Sequence, residues 1–302
     1  MNMIRFFDEQ ETAALLPYPE LVAALSIAVT EYGAGKIVSP ERQVVPLQAK
    51  AVMLSMPASA SDLAIHKLVN VCPGNGAMGL PTIHGQVTAY DSITGQALFT
   101  LDGPTVTGRR TAAISALGIR SLARSVKAIL LIGTGKQASN HAEAFAALFP
   151  DATLYVKGSS LESAQRFAAA RNAMVALDND AVPDDIDVVV TLTTSRKPVY
   201  HDAARVARLV VGVGAFTPDG AEIAASIVHG SDVIVDDPAG AKHEAGDLIQ
   251  AGIDWTAVGA LAAVIGGSWS RSADRPVVFK SVGCAAWDLA AARLARERLS
   301  QE

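Results

Sequence analysis

Apolar positions change their period along the chain, and each change predicts a different kind of element. From about residue 8 to 34, Leu15, Leu21, Ala24, Leu25 and Ala28 fall on one side of a helix. From Val44 to Tyr90 the text shortens to strands broken at Pro46, Pro57, Pro73 and Pro81. Val52–Met56, Ala64–Val69 and Ile83–Tyr90 read as strands, the last closed by a turn over Asp91–Gly95. Thr107-Gly108-Arg109-Arg110 opens a helix that runs to about Ala123, with Thr107 as its N-cap. After Ser125 strands and helices alternate: strand 127–132, helix 137–149, strand 152–156, helix 160–171, strands 187–192 and 208–213, helix 220–229, strand 232–236 and helix 240–251. Lys280–Gly283 precedes a last helix over about 284–300. The alternation implies βαβ units and a parallel sheet. The expected fold class is α/β: an α+β region over the first ~110 residues, then a Rossmann-type doubly wound parallel sheet, with the last helix returning to the first region.

The chemistry concentrates at Ala128-Ile129-Leu130-Leu131-Ile132-Gly133-Thr134-Gly135-Lys136-Gln137-Ala138. A β-like run, glycines two residues apart and a small residue three further on make the G-x-G-x-x-G/A order of a strand, a tight turn and a helix start. Gly133 allows the turn, Gly135 lets a pyrophosphate approach the backbone, and Ala138 lets the helix pack on the strand. Free N–H groups at the helix start would hold phosphates. A tight turn after any buried strand also selects glycine; the amphipathic stretch Gln137–Leu148 favours the dinucleotide reading.

An NAD site places Asp or Glu about 20 residues after the glycines, on the ribose 2′-hydroxyl. Here Leu154-Tyr155-Val156-Lys157-Gly158-Ser159-Ser160 carries no acid. Lys157 and Ser159 suit a 2′-phosphate, so NADPH is the expected cofactor and NADH the second candidate.

Half of the 302 residues are hydrophobic, enough for a sizeable core. A net charge of −5 leaves no basic footprint for nucleic acid. No apolar run approaches the ~18 residues that span a bilayer. Residues 1–8 lack a signal-peptide apolar region, and Cys72 and Cys284 are too few for a disulfide framework. A reduced, cytoplasmic protein without membrane or nucleic-acid partners is expected, and no metal-ligand spacing is present. His66, His141, His201, His229 and His243 carry no partner pattern; His66 reads as structural and the other four as surface residues.

Three cations stand in the otherwise apolar first region: Arg42, Lys67 in the strand Ile65–Asn70, and Arg110 in the first turn of a helix. They are either surface residues or a convergent grip on a carboxylate, which Arg binds bidentately. A mid-strand Lys is costly to bury unless paired.

The blocks Lys67-Leu68-Val69-Asn70, Gly79-Leu80-Pro81-Thr82, Tyr90–Gly95, Leu101-Asp102-Gly103, Arg109–Ala113, Gly133–Ala138, Val213-Gly214-Ala215-Phe216-Thr217-Pro218 and Ser281-Val282-Gly283 resemble, in order and over nearly the whole chain, the ornithine cyclodeaminase/mu-crystallin family. The resemblance implies a homodimer. It also implies a substrate-binding and dimerisation domain over 1–111 with 277–302, and a dinucleotide-binding domain over 112–276. Arg42, Lys67 and Arg110 would hold a substrate carboxylate, with Val282 near the substrate. Thr82, Arg110, Thr111, Gly133, Thr134, Gly135, Gln137, Ala138, Thr193, Val213, Gly214, Ala215 and Ser281 would approach the cofactor.

One departure sets the direction of the expected chemistry. The family's cyclodeaminases and the related alanine dehydrogenase carry an Asp two residues before the proline of the 213–218 block; here that residue is Phe216. A cyclodeaminase Lys nearby is matched by Gly220. Phe moves no proton, and a lost acid–base group costs ~10²–10⁴ in rate. Asp219 lies in a turn and would point elsewhere. The resemblance therefore implies reduction of a ready-made cyclic imino acid, Δ1-pyrroline-2-carboxylate or Δ1-piperideine-2-carboxylate, to L-proline or L-pipecolate, with Phe216 walling the ring. The alternatives are an ornithine cyclodeaminase or alanine-dehydrogenase-like enzyme, and a mu-crystallin-like protein that binds NADP or a small ligand. His84 shares a strand face with Thr82 and Gln86, so it is either a proton donor to the imine, a hydrogen-bonded structural residue, or a dimer-interface residue.

Overall fold

The computed structural model describes residues 4–171, 174–178 and 182–301. The chain runs β1 (Arg5–Phe7), α1 (Glu9–Leu15), α2 (Tyr18–Gly33), β2 (Gln43–Pro46), β3 (Val52–Ser59), β4 (Ala64–Val71), β5 (Ile83–Tyr90), β6 (Ala97–Asp102) and α3 (Gly103–Leu122). It continues through β7 (Ala128–Ile132), α4 (Lys136–Leu148), β8 (Thr153–Lys157), α5 (Leu161–Ala169), β9 (Met174–Ala176), β10 (Val188–Thr191), β11 (Leu209–Gly212) and α6 (Ala225–His229). Then follow β12 (Asp232–Val235), α7 (Pro238–Glu244), α8 (Gly246–Ala251), β13 (Gly259–Ala260), α9 (Leu261–Ile265), β14 (Val277–Lys280) and α10 (Ala285–Leu299). The chain divides into two compact units, 1–110 with 284–302, and 111–283. The return falls at 284 rather than the expected 277, because β14 is a fully buried strand paired with β11 and β12 in the parallel sheet.

The first unit holds a six-stranded sheet in the order β1-β6-β5-β4-β3-β2. Strands β2 to β6 run antiparallel, and β1 pairs parallel with β6. Helix α10 packs on α2 and on strands β3, β4 and β5. It is buried on nearly every side, as its run of alanines around Trp287 and Leu289 dictates. Trp287 meets Tyr32 edge-on, with ring centroids 5.5 Å apart. The expected single helix over 8–34 is two, because Leu16-Pro17 interrupts it and Pro17 sits at the N-cap of α2. Helix α3 starts at Gly103, earlier than expected. Asp102 Oδ1 takes the Thr105 N–H at 2.8 Å, whereas the Thr107 hydroxyl donates back to the Gly103 carbonyl.

The second unit is an all-parallel, eight-stranded sheet in the order β13-β12-β14-β11-β10-β7-β8-β9. Its inner strands β7, β10, β11 and β14 are buried throughout, as near-continuous runs of Val, Leu and Ile require. The strand order reverses between β7 and β10, the place where open α/β sheets bind ligands at strand C-termini. The expected helix 220–229 shrinks to α6. Glu222 and Ile223 spend their backbone groups elsewhere: Val199 and Tyr200 donate to the Glu222 carbonyl, and Ile223 bridges Tyr200. The expected helix 240–251 splits into α7 and α8 at Ala245. Among the described residues no single helix is long and apolar enough to cross a membrane.

Candidate active site

Burial alternates along β4, so that Ile65, Lys67 and Val69 share the inward face. Lys67 is 2% exposed, and its Nζ donates to Asp288 Oδ1 and Oδ2 at 3.1 and 3.2 Å. Asp288 lies in the first turn of α10, where the helix dipole favours a carboxylate. Arg110 Nε donates to the same Oδ1 at 3.2 Å. Burial lowers the Lys67 pKa to about 8. Asp288 opposes this, while the charges of Arg110 and Arg42 add to it. The first unit therefore brings Lys67 and Arg110 together on one carboxylate, with Arg42 close enough for its charge to act on Lys67. Two buried cations on one carboxylate leave an excess of positive charge suited to a ligand carboxylate. Arg109, by contrast, is structural: its Nε donates to the Leu16 carbonyl at 2.9 Å and its guanidinium lies 4.0 Å over Tyr18.

His84 does not join this group. In the register of β4 and β5, Lys67 faces Val87 while His84 faces Asn70, three residues away and therefore on the opposite side of the sheet. His84 is exposed, with Nε2 3.3 Å from Asn75 Nδ2. His66, whose Nε2 lies 2.9 Å from Ser55 Oγ, is on that same outer face. Thr82 and Gln86 are also exposed.

In the second unit, Gly133 adopts φ +127°, and a Cβ there would lie 2.8 Å from the Leu192 carbonyl oxygen, so only glycine serves. Gly135 is the N-cap of α4 without a side-chain cap, and nothing lies within 4 Å of where its Cβ would stand. The side-chain Oε1 of Gln137 is buried without a hydrogen-bond partner among the described residues. Ala138 is fully buried and Thr134 half-buried. An open glycine cradle and an uncapped helix start fit a pyrophosphate-bearing dinucleotide. At the end of β8, Lys157 is half-buried and Ser159 exposed, while Ser160 caps α5.

The other strand ends are held by carboxylates that sequence reasoning missed. Glu222 takes the N–H groups of Thr193 at 2.5 Å, Gly214 at 2.6 Å and Ala215 at 3.0 Å. Asp236 takes the Ser281 hydroxyl at 2.8 Å and the N–H groups of Val282 and Gly283, each at 3.0 Å. Asp236 and Asp237 close a strand and cap α7; among the described residues no cluster of His, Cys, Asp or Glu is arranged to hold a metal. His141, expected at the surface, is fully buried: its Nδ1 lies 2.8 Å from the Gln137 carbonyl and its Nε2 3.0 Å from the Ser115 hydroxyl oxygen. Burial lowers its pKa to about 4, so it is neutral at physiological pH. Phe216 is 44% exposed. Asp219 is a surface group held below the usual carboxylate range, first by the Thr217 hydroxyl at 2.7 Å and then by Arg196 at 3.4 Å. It stays ionised and is a poor proton donor. The available signal for Asp288 was a lone acid in an alanine-rich helix; Glu222 and Asp236 gave none, since neither lies at a motif spacing.

A parallel-sheet unit with a glycine turn, joined to a unit that carries a buried cationic cluster, defines a dinucleotide-binding α/β protein equipped to hold a small carboxylate. The chain belongs to the ornithine cyclodeaminase/mu-crystallin family, whose sequence pattern matches residues 3–302. It is 66% identical over 305 aligned positions to the Delta(1)-pyrroline-2-carboxylate/Delta(1)-piperideine-2-carboxylate reductase of Azospirillum brasilense, covering 99% of this chain and 97% of the relative. The solved Delta(1)-pyrroline-2-carboxylate reductase of Thermococcus litoralis, in complex with NADH and L-proline, superposes with a TM-score of 0.89 at 25% identity, covering 99% and 98% of the two chains. An archaeal alanine dehydrogenase dimer with bound NAD superposes with a TM-score of 0.87 at 27% identity over 99% and 97%.

Replacing Asp288 by Asn leaves two buried cations without their countercharge. A loss of about 3–5 kcal/mol in urea unfolding is expected, with the Lys67 titration moving further below about 8; unchanged stability and titration would contradict the geometry. Gly135→Ala meets no internal atom, so stability should hold to within about 1 kcal/mol. NADPH affinity, measured by fluorescence titration, should fall by about tenfold or more as the methyl group fills the cradle.

Proposed function

We propose that this chain reduces a cyclic ketimine carboxylate, Δ1-pyrroline-2-carboxylate and its six-membered homologue Δ1-piperideine-2-carboxylate, to L-proline and L-pipecolate, with NADPH as donor and NADH as the second. The observation that carries the reading is the buried cluster of Lys67 and Arg110 on Asp288, with Arg42 beside it. The absence of an acid at position 216 adds to it. The activity named for the Azospirillum relative and the NADH and L-proline held by the Thermococcus enzyme support it.

Arg42, Lys67 and Arg110 fix the substrate carboxylate, and Phe216 and Val282 wall the ring. Reduced nicotinamide, when bound, supplies a hydride to the imine carbon. The nitrogen takes one proton, so imine, hydride and proton together give the cyclic amine. Lys67, held near 8, both carries charge for binding and can release a proton at neutral pH; it recovers one from solvent. Phe216 offers no acid–base group and Asp219 is tied to Thr217 and Arg196, so the water attack and ammonia release of a cyclodeaminase lack a proton carrier there.

The outer face of the six-stranded sheet exposes Phe6 at 55% and Val45 at 48%, beside Leu68 and His84. We assign this face to a second copy of the chain; the archaeal alanine dehydrogenase on which the chain superposes is a dimer. Both cysteines are free thiols, which suits a reducing cytoplasm.

Initial rates of NADPH and NADH oxidation with the five- and six-membered imine carboxylates test the activity. Arg42→Ala and Lys67→Ala should each lower kcat/KM by at least about 30-fold, the scale of a lost charge pair. Lys67 is protonated below its pKa of about 8, so kcat/KM should fall as pH rises through that value. The limit in kcat should lie higher, because a bound carboxylate favours the ammonium form. Ammonia release from ornithine with NAD, or variants as active as the wild type, would overturn the reading. Light scattering should give twice the chain mass of 31.3 kDa; a monomer would overturn the dimer.

A further inference from the structure

We propose that Glu222 is a positioning residue for the nicotinamide end of the dinucleotide, acting by turning the ends of β10 and β11 into an edge of hydrogen-bond acceptors. The inference rests on the reading of the second unit as the dinucleotide-binding part. Glu222 is fully buried. Its Oε1 accepts from the Thr193 N–H at 2.5 Å; its Oε2 accepts from Gly214 at 2.6 Å, Ala215 at 3.0 Å and the Thr191 hydroxyl at 3.0 Å. One side chain thus takes three main-chain N–H groups from two neighbouring strand ends.

The loops are in contact there, since a Cβ on Gly214 would overlap the Thr193 backbone. Beneath the carboxylate, Asp247 takes the Glu222 and Ile223 N–H groups at 2.5 and 2.9 Å and the Lys280 ammonium at 2.7 Å. Both Asp247 and Lys280 are buried. Burial pushes the Glu222 carboxyl up, and the Lys280 charge opposes that.

The consequence follows from peptide geometry. In a trans peptide the N–H and the C=O point in opposite directions, and no cis peptide occurs among the described residues. Drawing the N–H groups of Thr193, Gly214 and Ala215 onto Glu222 therefore aims the carbonyls of Leu192, Val213 and Gly214 the other way. The Leu192 carbonyl is placed against the glycine turn, 2.8 Å from a Cβ position on Gly133. This edge carries carbonyl oxygens beside the turn expected to hold the pyrophosphate. Its complement is a primary amide, which is the one N–H₂ donor at the nicotinamide end. Satisfied from beneath, the edge is rigid and fixes which ring face the carboxamide allows.

Glu222→Gln tests this, because the amide nitrogen must face at least one main-chain donor. The readouts are NADPH binding, binding of ADP-ribose 2′-phosphate, which lacks the nicotinamide, and the face selectivity of deuteride transfer from stereospecifically 4-deuterated NADPH. The expected result is an NADPH Kd raised about 10-fold, unchanged binding of the ADP-ribose compound, and partial loss of face selectivity. Equal weakening of both ligands, or no change in either, overturns the proposal. Should Glu222→Gln not fold, Thr191→Val removes one donor to Oε2 and keeps the strand. A rise of about 3-fold confined to NADPH is then expected, and none overturns the proposal. A wild-type protein that fails to bind NADPH overturns the dinucleotide reading and this inference with it; wild-type binding with insensitive variants overturns the role of Glu222 alone.

Discussion

An ionised carboxylate withdrawn from water costs several kcal/mol unless donors surround it. Glu222, Asp236, Asp247 and Asp288 are each 2% exposed or less. Each is compensated, and the compensation shapes the protein. Asp288 draws Lys67 from β4 and Arg110 from α3 to one point on α10. Glu222 ties the ends of β10 and β11, and Asp236 ties the end of β12 to the segment after β14. The donors are groups that would otherwise be orphaned: an ammonium and a guanidinium inside a core, and N–H groups past the last rung of a ladder. Breaking one partner leaves the other buried and unpaired, so these ties are rigid where a ligand needs fixed groups.

The elements made of long apolar runs were legible from the chain alone. Val188–Thr191 and Leu209–Gly212 are inner parallel strands because nothing else accommodates four consecutive apolar or β-branched residues in that setting. The glycine turn was legible because Gly133 must adopt φ +127°. The cation set Arg42, Lys67 and Arg110 was legible as a group, since a Lys in the middle of an apolar strand demands a partner. That partner was not: Asp288 lies 221 residues from Lys67, and no local period connects the two.

Other expectations failed for reasons of short range. Choosing among the three roles open to His84 required knowledge of register, because the face a strand residue occupies is fixed only once its pairing is known. The pairing of Lys67 with Val87 sends every even-numbered residue of β5 outward. Thr107 looked like a cap, but Asp102 outcompetes it by ending β6 with a side chain already placed over the Thr105 N–H. The helix expected over 220–229 lost its start because the Glu222 and Ile223 N–H groups go to Asp247. His141 carries no sequence mark of burial; it is inside because Ser115 and the Gln137 carbonyl satisfy both ring nitrogens.

The geometry around Asp288 also explains why Lys67 gives up its proton more readily than an ordinary lysine. A buried lysine with a counter-ion of its own would keep its proton far above neutral pH, and one with none would lose it and bind nothing. Asp288 is shared: Oδ1 faces both Lys67 Nζ and Arg110 Nε. Burial first lowers the Lys67 pKa, the shared Asp288 only partly restores it, the guanidiniums of Arg110 and Arg42 lower it further, and the ammonium settles near 8. Arginine cannot serve in this place, since its charge does not titrate in the usable range. Arg42 and Arg110 therefore carry permanent charge, whereas the charge of Lys67 can be given up near neutral pH.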